Sequence, residues 1–149
     1  VEGLLLKSGG TYLDTEVTKS FLNYTAFGVR TDFKGRQFPF TPKWQINADA
    51  EYDWPVSESM EAFLGANYTY RSGTNGDFVP DSRLAIDSYG LLDLRAGLQD
   101  AGGDWRISLY GRNITNEYYY QTAVRRGDAI VRYAGMPVTY GITASIKFR

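Results

Sequence analysis

The chain has 149 residues, of which 43% are hydrophobic and 15% aromatic, and it carries 16 basic and 17 acidic residues. This length allows one domain with a sizeable core. The net charge of −1 argues against nucleic-acid binding, which needs a basic surface. The chain has no cysteine and no histidine, which excludes disulfides, thiolate or imidazole metal ligands and a Ser-His-Asp triad within it.

The first six residues lack the basic start and the cleavage site of a signal peptide. No apolar run reaches the roughly 18 residues that a transmembrane helix needs. We therefore expect the chain to be a fragment whose upstream part is missing.

The clearest pattern lies in residues 42–54, where apolar and polar residues alternate. The apolar parity is Trp44, Ile46, Ala48, Ala50, Tyr52 and Trp54. Successive side chains of a strand point to opposite faces, so the pattern predicts a strand with one apolar face and aromatic ends. A tilted strand of about 9–11 residues is long enough to cross a bilayer.

Five other segments show similar alternation, although Phe63 breaks the parity of one and the parity of the first segment is irregular. The six predicted strands are residues 4–20, 42–54, 58–71, 88–99, 104–118 and 137–148. Short turns at residues 53–58 and 100–104 alternate with long connections at 21–41, 72–88 and 119–136. Membrane barrels have short periplasmic turns and long external loops.

These patterns predict an all-β fold, an antiparallel segment of a transmembrane β-barrel. The alternative is a soluble antiparallel sandwich or a lipocalin-like barrel, whose strands also alternate. Strict alternation of short and long connections, together with charges in the middle of the strands, favours the membrane barrel.

Three segments carry recognisable motifs. In residues 109–119 the motif residues are Gly111, Asn113 and Tyr118. This segment resembles the penultimate-strand motif of TonB-dependent outer-membrane receptors. Residues 135–141, which precede the last strand, and the proline-containing start at residues 40–44 are similar to the same family. The resemblance covers the whole chain and aligns it with the C-terminal part of the β-barrel.

The last strand resembles the C-terminal signal that outer-membrane proteins present to the barrel-assembly machinery. Its residues are Gly141, Ala144, Ile146 and Phe148. The chain departs from the usual pattern because Arg149 follows the terminal aromatic residue.

The resemblance implies a barrel of about 22 strands in the outer membrane of a Gram-negative cell, surrounded by lipid. It also implies an N-terminal plug, further barrel strands and energy from the TonB–ExbB–ExbD complex, which the missing N-terminus contacts. Six strands cannot close such a barrel, so we expect that the fragment transports nothing alone. No cofactor and no metal are implied.

Ligand-binding residues are expected in the long external loops, because loops carry the variable binding groups. Arginine suits anionic ligands and aromatic rings suit sugars or flat chelates. The candidates are Tyr24, Arg30, Arg36, Asp77, Tyr120, Arg125 and Arg126. Asn113 is interpreted as structural, and the charges of Asp49, Glu51, Arg95 and Arg106 are expected to face the lumen.

The sequence therefore predicts a segment of an active-transport receptor for a scarce ligand such as an iron-siderophore, a vitamin or a carbohydrate, and not an enzyme. A diffusion porin or an adhesin barrel is the alternative. An outer-membrane hydrolase is less favoured, because the usual hydrolases of that membrane need a histidine.

Overall fold

The computed structural model describes residues 3–148. In chain order its strands are β1 (Leu4–Tyr12), β2 (Leu22–Tyr24), β3 (Arg30–Asp32), β4 (Trp44–Pro55), β5 (Met60–Arg71), β6 (Thr74–Asn75), β7 (Ala85–Ile86), β8 (Tyr89–Asp100), β9 (Trp105–Arg112), β10 (Tyr120–Arg126), β11 (Ala129–Ala134) and β12 (Thr139–Ile146). A short 3-10 turn covers Ser82–Leu84.

Six long strands form one antiparallel sheet in the order β1-β4-β5-β8-β9-β12. Each is hydrogen-bonded to its neighbour through a continuous register, from Leu4 opposite Tyr52 to Ile146 opposite Trp105. The sheet is open, with β1 and β12 at its two edges. The all-β antiparallel architecture predicted from the sequence is confirmed.

Short and long connections alternate around this sheet. The turns from β4 to β5 and from β8 to β9 are short, and the other three connections are long. Each long connection holds a hairpin of its own, formed by β2 and β3, by β6 and β7, or by β10 and β11. The prediction had left these three segments without strands.

Two predicted boundaries are wrong. The first strand ends at Tyr12 and not at residue 20, because beyond Leu13 the backbone leaves the ladder and the Val17 N–H donates to the Arg36 carbonyl. The strand predicted to reach residue 118 ends at Arg112. Asn113 takes a positive φ of 48°, which an extended strand cannot continue.

The two faces of the sheet differ in chemistry along every long strand. On the outer face lie large apolar side chains that stay exposed, including Leu64 at 54%, Leu109 at 61% and Ile142 at 70%. Their neighbours on the opposite parity are mostly polar or charged. A soluble monomer rarely exposes such a continuous apolar surface, so this face fits lipid contact.

Phe63 is an apolar residue that faces inward, as Leu5 and Leu91 also do, and it is only 1% exposed. The Arg106 guanidinium lies 3.5 Å from the centre of its ring. Gly97 on the neighbouring strand leaves room for the ring, since a Cβ there would lie 2.8 Å from Phe63 Cζ. The space at Gly97 and the Arg106 guanidinium therefore allow this ring to be buried on a mostly polar face.

Most of the buried apolar core lies in the long connections. Its members are Phe33, Leu84, Ile86 and Ala123, each at most 2% exposed. Phe33 stacks on Phe78 with ring centres 4.7 Å apart. In residues 3–148 no helix has the length and apolarity to cross a membrane.

Candidate functional site

A charged network occupies the inner face of the sheet, centred on Arg95. Its Nη1 and Nη2 atoms donate to the two Asp49 carboxylate oxygens at 2.8 and 2.9 Å, and its Nε donates to Glu51 at 2.6 Å. Gly65 makes room for this guanidinium, because a Cβ there would lie 2.7 Å from Arg95 Cζ. The glycine lets the arginine lie flat across its strand.

Arg106 extends the network towards the short turns. Its Nη2 donates to both Glu51 oxygens at 3.0 Å, and its Nη1 donates to the Gln99 side-chain oxygen at 2.5 Å. Gln99 in turn donates to Glu61 at 3.0 Å. Side-chain bonds thus join β4, β5, β8 and β9, and each donor or acceptor helps to hold the others in place.

The charges of the inner face lie in rows across the strands. Towards the short turns it carries Glu51, Asp53 and Glu61 together with Arg95 and Arg106. At mid-strand, Lys7, Asp49 and Asp93 lie in one row of the register. Nearer the long connections, Arg71 lies opposite the neutral residues Gln45 and Tyr89.

The three long connections contact one another at Ala26. The Asp77 carboxylate, which is 9% exposed, accepts from the Ala26 N–H at 2.6 Å. Arg125 donates to the Ala26 carbonyl at 3.1 Å. Beside it, the Arg83 guanidinium lies 3.5 Å from the centre of the Phe27 ring. One residue of the first connection is thus held by both of the others.

Asp81 fixes the start of the 3-10 turn in the second connection. It accepts from the Arg83 backbone N–H at 2.9 Å and from the Arg83 guanidinium at 2.7 Å. These bonds, those from the guanidinium above all, lower the pKa of Asp81 to about 2. The Asp81 carboxylate is therefore ionised at neutral and mildly acidic pH.

A cavity of about 470 Å³ lies where the inner face meets the long connections. Arg71 and Tyr89, which are paired across β5 and β8, belong to the lining of this cavity. Four other residues line it: Phe40, Gln121, Thr122 and Val124. Arg71 Nη2 donates to the Phe40 carbonyl at 3.3 Å, while its buried Nε has no acceptor among the described residues.

Asn113 joins the end of β9 to the third connection. Its side-chain amide donates to the carbonyls of Glu117 and Met136 at 2.9 and 3.0 Å, and its side-chain oxygen accepts from the Glu117 N–H at 2.8 Å. Its own N–H donates to Asp93 at 2.8 Å. These are the contacts of a residue that satisfies backbone groups.

No group of three or more carboxylates or other typical metal ligands converges in the part of the chain that the structure describes. The chemistry available at the inner face and the loops is therefore ion pairing, hydrogen bonding and ring contact.

The model of the TonB-dependent receptor-like β-barrel matches residues 4–114, about three quarters of the chain. The chain belongs to this family. Its members are transport receptors and not enzymes. The family resemblance predicted from the motifs is confirmed, and no curated protein sequence matches the chain.

Solved structures of TonB-dependent receptors share this fold. The ferric yersiniabactin uptake receptor FyuA from Yersinia pestis superposes with a TM-score of 0.75 over 100% of the chain, at 18% identity. The siderophore receptor PiuA from Acinetobacter baumannii gives 0.70 over 97%, at 21% identity. The ferric preacinetobactin receptor BauA from the same organism gives 0.65 over 97%, at 24% identity. The chain spans about a fifth of the length of these receptors, 22%, 19% and 19% respectively.

The loop residues predicted to bind ligand fall into two groups in this TonB-dependent receptor segment. Asp77 and Arg125 meet at Ala26 and are engaged in loop-to-loop contacts. Four others are exposed in the first and third connections: Tyr24, Arg30, Arg36 and Arg126. Tyr24 and Arg30 lie opposite each other across the β2–β3 hairpin. Arg36 lies after β3 in the first connection, and Arg126 ends β10 in the third.

Tyr120, the remaining loop candidate, lies at the start of β10. It accepts from the Tyr118 hydroxyl at 3.3 Å, and the Arg132 guanidinium lies 5.2 Å from the centre of its ring. The Tyr118 hydrogen bond, with help from Arg132, lowers the pKa of the Tyr120 phenol. Tyr118 itself, a residue of the predicted motif, is 74% exposed.

The other motif and signal residues lie on β9 and β12. Gly111 faces outward opposite Tyr140, whose ring a Cβ on Gly111 would approach to 3.0 Å. Gly141 faces inward under the Tyr110 ring. The outer face of the edge strand and its end carries Ala144, Ile146 and Phe148, and Phe148 is 92% exposed. Arg149 lies outside the described residues.

Arg71 and Tyr89 are absent from the candidates predicted by sequence. The sequence pattern predicts Arg71 within a strand and residue 89 at the edge of another, whereas the predicted binding residues all lie in loops. A usable signal existed, since both residues flank the same long connection and both have the inward parity.

Proposed function

We propose that the chain is the C-terminal barrel segment of an outer-membrane active-transport receptor that imports a ferric chelate of the siderophore type. The observation that carries this proposal is the sheet itself. Its six strands have an apolar outer face, a charged inner face and three long connections that all leave at one end. Such a wall separates lipid from a polar lumen.

The ligand class is drawn from the receptors that share the fold and from the charges at the mouth. The solved receptors named above take up ferric yersiniabactin or ferric preacinetobactin, or are described as siderophore receptors. The inner face of this chain presents Arg71, opposite the neutral residues Gln45 and Tyr89, at the end where a ligand would arrive from outside. A neutral vitamin or carbohydrate would not need this cation.

The partners follow from the same proposal. The free edges of β1 and β12 would pair with further strands of the barrel, since an unpaired edge in lipid leaves backbone groups unsatisfied. The inner charges would face a plug domain or lumenal water. The TonB–ExbB–ExbD complex would supply energy, and the barrel-assembly machinery would insert the protein into the outer membrane of a Gram-negative cell.

The test is uptake of radioactive iron by cells that produce the full-length receptor. A Gram-negative host that lacks its own chelate receptors is supplied with 55Fe bound to a panel of siderophores. We expect uptake of at least one chelate when the receptor is present, and loss of that uptake when TonB is deleted.

Two results would contradict the proposal. Uptake that persists without TonB would indicate a diffusion porin. No uptake of any iron chelate by cells that display the folded receptor on their surface would show that iron is not the cargo.

A further inference from the structure

We propose that the cavity lined by Arg71 and Tyr89 is a ligand subsite, where an anionic oxygen group of a ferric chelate binds the guanidinium and an aromatic ring of the same chelate packs on the tyrosine. This inference rests on the proposed function and specifies the chemistry that the receptor selects. The cavity has a volume of about 470 Å³, which falls within the range of small-molecule pockets.

The first argument is the spare donor capacity of Arg71. A guanidinium carries five N–H groups, and only one hydrogen bond from this side chain has an acceptor among the described residues, from Nη2 to the Phe40 carbonyl. No carboxylate of residues 3–148 lies within ion-pair distance of Arg71, in contrast to Arg95 and its two carboxylates. A half-buried cation without a counter-ion favours an anion from outside the segment.

The second argument is that the guanidinium is already held in place. Phe40 adopts a left-handed backbone conformation with φ of 58°, and its N–H donates to the Asn75 carbonyl at 2.9 Å. The Phe40 carbonyl that Arg71 contacts is therefore fixed by the second connection. A preorganised cation loses less entropy when it binds an anion.

The third argument is the composition of the rest of the lining. No acidic residue lines the cavity, and Gln121 and Thr122 offer neutral hydrogen-bonding groups beside the cation. The Tyr89 ring is supported by Tyr119, with ring centres 4.2 Å apart. A supported ring next to an arginine suits a flat, negatively charged ligand.

A carboxylate from the plug domain is the competing partner for Arg71. The cavity lies at the end of the wall that carries the long connections, and three of its lining residues belong to the third of them. An arriving ligand passes this end first. We therefore favour the ligand, and the experiment distinguishes the two.

The experiment measures equilibrium binding to the purified full-length receptor. The probe is the ferric complex of 2,3-dihydroxybenzoate, which is anionic and has aromatic rings. We expect Arg71→Gln to weaken its binding by about tenfold or more, the loss of hydrogen bonds to a charged group. Arg71→Lys should recover part of the affinity, because it restores the charge without the planar fork. Tyr89→Phe should bind almost normally and Tyr89→Ala weakly.

The matched control is Lys19→Gln, which removes one positive charge from an exposed site in the first connection. Its affinity for the probe should equal that of the wild type. Equal weakening in Lys19→Gln and Arg71→Gln would overturn the subsite in favour of general attraction. Unchanged affinity in Arg71→Gln together with a lower melting temperature would assign Arg71 to the plug.

The outcome for the subsite is separable from that for the proposed function. A wild-type receptor that imports another iron chelate but does not bind the ring-bearing anionic probe would overturn the subsite and leave iron import standing. A receptor that imports no iron chelate would instead contradict the proposed function.

Discussion

Asn113 shows how one side chain can end a strand and begin a loop. It sits at φ of 48°, a region that asparagine tolerates better than most residues. It is 3% exposed, and its side chain makes three hydrogen bonds, to the backbone of Glu117 and Met136. A side chain without an amide would leave these groups unpaired.

We predict that Asn113→Ala in the full-length receptor loosens residues 113–138 by about 2–4 kcal/mol, from the three hydrogen bonds lost with the side chain and from the less favourable backbone. Hydrogen exchange of the Glu117 amide measures this opening energy. The control is Asn116→Ala, which also has positive φ but whose side chain accepts one bond, from the Val138 N–H at 3.2 Å. Equal effects of the two substitutions would refute the role given to Asn113.

At the scale of elements, the long strands could be predicted and the loop contacts could not. Alternation places Trp44 to Trp54 and their neighbours on the correct faces, because a period of two depends only on local chain geometry. The strands of the loop hairpins are two to seven residues long, and the contacts of the loops join residues far apart in sequence, such as Ala26 and Asp77. No local pattern encodes such a contact.

The same limit explains the candidate site. Asp77 and Arg125 were selected for their charge, yet both contribute to the packing of the loops. For Arg71, the strand pattern predicts only which face of the sheet the side chain occupies, and not which residues lie beside it. Its importance depends on Phe40 and Gln121, which only the folded chain brings beside it.

We predict that Asp77→Ala loosens the contact between the first and second connections at Ala26. The Ala26 and Phe78 N–H groups, which both donate to this carboxylate, should exchange with solvent about tenfold faster or more, as expected for a lost hydrogen bond to a buried charged group. Hydrogen exchange of the full-length receptor is the measurement. Asp87→Ala is the control, because it removes an exposed carboxylate from the same connection. Unaltered exchange at Ala26 in Asp77→Ala would contradict the locking contact.

At the scale of the whole molecule, the six strands are one part of a wall between two solvents. The outer face exposes apolar side chains, whose contact with water costs free energy. The inner face carries ion pairs, whose transfer into lipid would also cost free energy. The register assigns every residue of β4 to one side or the other.

We predict that single cysteines placed along residues 44–54 of the full-length receptor report two environments. A lipid-soluble quencher should reach labels at even positions, and a water-soluble reagent should react at odd positions, because strand side chains alternate between faces. The two parities serve as controls for each other. Equal accessibility at both parities would be incompatible with a strand in the membrane.

The shared core of the long connections has a consequence for how such receptors diversify. Phe33 of the first connection stacks on Phe78 of the second, and β10 of the third connection contacts β7 and the 3-10 turn of the second. A substitution in one connection therefore alters its fit to its neighbours, and the three connections must change as a set. A single connection grafted onto a related barrel would lack the packing partners that the other two connections supply. All three connections grafted together would keep these contacts.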